Sequence, residues 1–138
     1  MFTIEQIKTA HSKVKSGADY PGYVQELIAL GVNSYQTYVT DGHTVFMGSD
    51  NFTAQMPAKY AILEIAGDSD EIAFKTALKL HQQGKTDYPT FCADCARTGV
   101  EKWVADLIKM TCTYHNKMGT EILVETIPTV EIPAQGNA

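Results

Sequence analysis

"GADYPGYVQELIALGV" (residues 17–32) and "GKTDYPTFCADCARTGV" (residues 84–100) carry nearly the same text within one chain of 138 residues. Each contains Asp-Tyr-Pro near its start and closes on Gly-Val. Proline suits the first turn of a helix, where its missing N–H would have had no partner. A glycine beyond the last apolar residue supplies the left-handed backbone that ends a helix. Both stretches therefore predict a helix, entered through Asp19 or Asp87 and closed by Gly31 or Gly99. Each Asp is expected to cap the N-terminus by accepting a backbone N–H.

The likeness extends outward. Residues 7–17 align with 74–84, sharing Lys-Thr-Ala and a closing Gly, and residues 19–35 align with 87–103. Nine of the 28 paired positions are identical, where average composition gives about two by chance. Phe2 to Val14 reads as a helix with Ile4, Ile7, Ala10 and Val14 on one face. Thr3 and Gln6 make its capping box, and Phe2 with Ile7 the accompanying staple. Ser69 to Gln83 reads as the counterpart, with an acidic first turn at the positive end of the helix dipole.

Ser34 to Thr40 alternates aromatic and polar residues, Asp41-Gly42 marks a hairpin, and His43 to Met47 returns. In the second half Lys102 to Lys109, Met110 to His115 and Thr120 to Ile127 read as strands. Asn51 to Pro57 reads as a loop or ragged edge. Ala58 to Ala66, "AKYAILEIA", reads as a short buried strand between Pro57 and Gly67. The expectation is one α+β domain over residues 1–132. An internally duplicated helix-helix-strand-strand unit, about 3–48 and 70–127, would form a mostly antiparallel sheet covered by about four helices. Residues 133–138 are expected to be a flexible tail.

Composition restricts the partners. A net charge of -5 argues against nucleic acid or an anionic membrane, since phosphate partners need a basic surface. No stretch approaches the roughly 18 to 20 apolar residues of a membrane span. The N-terminus lacks the basic start and apolar run of a secretory signal. Three cysteines cannot all pair within one chain, and the three together with the missing signal favour a reducing cytoplasm.

The chemistry-bearing residues cluster in the second copy. His81 stands where the first copy has Val14, and Cys92 and Cys95 stand where it has Val24 and Leu27. Free cysteine behaves as a small buried hydrophobe, so packing is the first expectation, with no cofactor. A Cys beside a His is also the minimal activated nucleophile. On that reading His81, Asp87, Cys92 and Cys112 are the candidate catalytic residues, with Tyr88, Tyr114 or His115 orienting the imidazole. As a string, Cys92-x-x-Cys95 followed by Cys112-x-x-His115 also resembles a zinc site. Residues three apart on a strand, however, point to opposite faces. There is no phosphate-binding glycine loop, no Gly-x-Ser-x-Gly elbow and no His-Glu-x-x-His.

The stretch "HQQGKTDYPTFCADCARTGVEKWVADLIKMTCTYH" resembles the YbcV-like family, a group of small bacterial and prophage-encoded proteins also named for a domain of unknown function 1398 and sometimes labelled phage envelope protein. The shared motif is His81, Gly84, Thr86-Asp87-Tyr88 and Phe91-Cys92. The likeness runs from the Phe2 helix through "SYQTYV" to "ETIP". It implies a shared fold and a bacterial or phage setting, and it carries no catalytic residues across. Two functional expectations follow. The first is a cytoplasmic, non-catalytic protein that binds a protein or small-molecule partner, or a second copy of itself through an exposed strand edge. The alternative is a small Cys/His-dependent enzyme or zinc protein.

Overall fold

The computed structural model describes residues 2–15 and 19–128. The expected tail, residues 133–138, lies outside them. The elements run α1 (Ile4–His11), α2 (Tyr20–Leu30), β1 (Ser34–Tyr38), β2 (Thr44–Met47), β3 (Thr53–Met56), α3 (Glu71–Gln82), α4 (Tyr88–Arg97), β4 (Lys102–Asp106), β5 (Thr111–His115) and β6 (Glu121–Thr126). The fold is α+β, with one antiparallel sheet in the order β3-β2-β1-β4-β5-β6.

Most of the local signals act as their chemistry predicts, the Asp19 cap being the exception. Thr3 and Gln6 form the reciprocal capping box of α1. Asp87 caps α4, its Oδ1 accepting the Thr90 N–H at 2.8 Å. Asp19 instead accepts the Lys15 N–H at 2.9 Å. Gly31 and Gly99 take φ of +100° and +89° at the helix ends. A Cβ on Gly99 would also meet the Asp68 carbonyl oxygen at 2.7 Å, so this position needs glycine on two counts.

Two expectations are corrected. Thr53–Met56, in the stretch read as a loop or ragged edge, is a regular edge strand pairing with β2, Thr44 opposite Met56. Each half is thus two helices and three strands. The segment 58–66, read as a buried strand, is irregular: Ile65 is buried, but Ile62 is 79% exposed. Its backbone bonds go to loops and a helix end rather than to a neighbouring strand, Leu63 N–H to the Thr40 carbonyl and Ala66 N–H to the Ala96 carbonyl.

The halves meet at β1 and β4. Gln36 pairs opposite Val104, its own counterpart 68 residues on. Burial alternates along β1, β4 and β5. The inward rows, including Tyr35, Phe46, Trp103, Ala105, Cys112 and Tyr114, join the helices in one core with Ile7, Leu27 and Phe74. The opposite rows make an open sheet face.

Candidate functional site

Cys92 lies on the inner face of α4, fully buried. The hydroxyls of Tyr60 and Tyr88 lie close enough to its thiol to act on its protonation. Tyr60 donates its O–H to the Val39 carbonyl at 2.6 Å. The Lys59 ammonium stands 5.2 Å from the centre of the Tyr88 ring. Burial pushes the Cys92 thiol up, against opposing pulls from the two hydroxyls and Lys59. The result is a protonated thiol inside a hydroxyl cluster rather than a ready thiolate.

Cys95 and Cys112 are also buried and free. Burial pushes Cys95 well up and Cys112 up to about 12. The Tyr114 hydroxyl contacts the Cys112 sulfur. Nearby, the hydroxyls of Tyr20 and Tyr35 share a hydrogen bond of 2.6 Å.

The His81 ring is held by Thr86 and Phe91. Its Nδ1 donates to the Thr86 carbonyl at 3.1 Å, and its ring lies flat on Phe91, with centroids 4.4 Å apart. Burial lowers its pKa against opposing pulls from the Thr86 carbonyl and Asp87. In the first half, where Val14 replaces it, a cleft of about 300 Å³ remains between α1 and α2, lined by Val14, Tyr23 and the Lys13–Glu26 ion pair. Asp87 is held below the usual carboxylate range by the side chain and backbone of Thr90, consistent with its capping role.

The Cys92, Cys95, Cys112 and His115 set is divided by the sheet. Cys112 points to the helices and His115, three residues on, belongs to the open face. Among the described residues no group of three or more His, Cys, Asp or Glu side chains is placed to hold a metal ion. Tyr60 and Lys59 were not legible as neighbours of Cys92, because they sit more than thirty residues away in a segment read as a strand.

The open face has three rows. The middle row sets Val45, Gln36, Val104, Thr113 and Val124 side by side. Above it stand His43, Tyr38, Lys102 and His115, with Tyr38 stacked on His43 at 4.4 Å and the Lys102 ammonium 5.8 Å from the Tyr38 ring centre. Below it stand Met47, Ser34, Asp106 and Thr111. Burial, then the Lys102 charge, lowers the His115 pKa, while Glu121 opposes.

The chain belongs to the family described as protein of unknown function (DUF1398), which it matches over residues 8–126. It is similar, at 44% identity over 45 residues, to Uncharacterized protein Rv2012 of Mycobacterium tuberculosis (strain ATCC 25618 / H37Rv) and Uncharacterized protein Mb2035 of Mycobacterium bovis. The aligned stretch is 33% of this chain and 27% of each relative, so the chain spans about a quarter of their length. Among the described residues no helix is long and apolar enough to cross a membrane.

Proposed function

We propose that this is a non-catalytic, cytoplasmic binding protein of bacterial or prophage origin, and that its working surface is the open face of the sheet. One observation carries the reading: among the described residues the helices pack on one side of the sheet, and the other carries the row Val45, Gln36, Val104, Thr113 and Val124, the first four half-buried. Val124 is 51% exposed. Exposed apolar patches rimmed by polar groups mark contact sites.

The partner is a second copy. Two such faces packed about a two-fold axis lying along the rows place Val104 on Val104 and the Gln36 amides together. The same operation lays the upper row of each copy on the lower row of the other. Lys102 then meets Asp106, and the large Tyr38 ring meets the small Ser34. An isologous contact of this kind needs one self-complementary patch, and sheets packed face to face lie about 10 Å apart. The register also supports an internal duplication, because Gln36 and Val104 are both paired in space and equivalent in the repeat.

Sedimentation equilibrium tests the proposal. The chain is expected to be a dimer and Val104→Arg a monomer of unchanged fold. Exchanging the charges, Lys102→Asp with Asp106→Lys, restores what either single change weakens. A wild-type chain that stays monomeric up to millimolar concentration overturns the reading.

A further inference from the structure

The cleft between α1 and α2 has a filled counterpart between α3 and α4. Its lining residues Ala10, Val14, Gly22 and Tyr23 correspond to Ala77, His81, Thr90 and Phe91. In the second half the His81 ring lies flat on Phe91, and its Nδ1 donates to a backbone carbonyl. In the first half three changes remove that filling. Valine replaces the ring. Glycine replaces Thr90, and nothing lies within 4 Å of where a Gly22 side chain would begin. α1 also stops at His11, whereas α3 runs on to Gln82, the counterpart of Lys15. A space of about 300 Å³ is left.

The walls set the chemistry of an occupant. Ala10, Val14 and Gly22 are small or apolar, and Tyr23 adds an aromatic ring. Among the described residues that ring meets His11 edge-on at 5.3 Å and Tyr20 tilted at 6.4 Å, and no ring stacks flat on it. At the rim the Lys13 ammonium binds Glu26 through Oε1 at 2.7 Å, which leaves Oε2 to accept a further N–H. Sites for drug-sized ligands begin at about 300 Å³, so this cleft has room for a single ring with a short substituent.

We infer that the α1–α2 cleft binds a small molecule bearing an imidazole ring, seated as the His81 ring is seated in the other half: flat on Tyr23, with its N–H donated to Glu26. Stacked rings gain more than the burial of their area alone. An N–H donated to a carboxylate is a charge-assisted bond, stronger than one between neutral groups. The cleft lies in the helix layer, across the sheet from the open face, so the inference is independent of self-association.

Amide NMR shifts of the full-length chain, titrated with imidazole at pH 8, test it. A ring this small binds weakly, so the titration runs to about 50 mM. Saturable shifts are expected at Ala10, Gly22, Tyr23 and Glu26, with none at their counterparts Ala77, Thr90, Phe91 and Asp94. Val14→His puts a ring of the chain's own into the cleft and should abolish the shifts. Gly22→Leu fills the space from the opposite wall and should abolish them too, which keeps the test sound if one variant fails to fold. Cyclopentanol, a saturated ring of similar size with one donor, should leave the four amides unmoved. The inference is overturned by a wild-type chain without saturable shifts, by shifts that survive in either folded variant, or by an equal response to cyclopentanol.

Discussion

The phenolic oxygens of Tyr20 and Tyr35 lie 2.6 Å apart, joining the first turn of α2 to the start of β1. Tyr35 is buried and Tyr20 half-buried, so each hydroxyl relies on the other for a partner. Tyr35→Phe should cost about 1–2 kcal/mol by stranding the Tyr20 hydroxyl. Adding Tyr20→Phe should then cost less than it does alone. Urea unfolding of the two single variants and the double variant measures this, and strictly additive losses would rule out the mutual bond.

Burial raises the pKa of Tyr20, Tyr23, Tyr35, Tyr88 and Tyr114 above the ordinary value. The fold therefore favours the neutral phenols. Their contribution is complete below the unfolded value of about 10 and is lost as pH rises toward the folded values. The urea midpoint should hold level to about pH 9.5 and fall steeply above 10. Spectrophotometric titration of all seven tyrosines near pH 10, with the fold retained, would contradict the burial described.

The three thiols should resist a disulfide reagent at pH 8 in native buffer and react together once the chain is unfolded. Cys92→Ser keeps a hydrogen-bonding group between Tyr60 and Tyr88. Cys92→Val removes it and should be the more destabilising change, by about 1 kcal/mol. Rapid labelling of Cys92 alone would reopen the nucleophile reading.

His11, His81 and His115 all have pKa values lowered by burial, so folding favours the neutral rings. Stability from this source is present above the unfolded value of about 6.5 and is lost as pH falls through the folded values. The thermal midpoint should therefore drop between pH 7 and pH 5. His81→Phe keeps a flat ring on Phe91 and should shrink that drop. An unchanged pH slope in this variant would place the acid sensitivity elsewhere.

Much of the scaffold was legible because its signals are local. Thr3 with Gln6, Pro89 after Asp87, and glycines at 31 and 99 each fix a few residues of backbone without help from the rest of the chain. The third strand was not legible, because Thr-Ala-Gln-Met is a weak, four-residue alternation whose place depends on β2. The run "AKYAILEIA" misled for the opposite reason. It is apolar enough to seem a core strand, yet Ile62 faces water. The Cys92 surroundings combine α4 with residues 59 and 60, a long-range meeting that no spacing encodes. His81 was visible as an odd replacement for Val14, but its flat stacking on Phe91 is a matter of tertiary shape.

Among the described residues the central β1–β4 ladder is the only strand pairing between the halves, and the segment from Pro57 to Asp70 is their covalent tether. A chain severed there would leave each piece with a bare strand whose natural mate is the other piece. Mixed fragments should reassemble into the intact sheet, and either fragment alone should pair with itself across the same ladder. One ladder of five residue pairs therefore holds two three-stranded pieces in a single sheet.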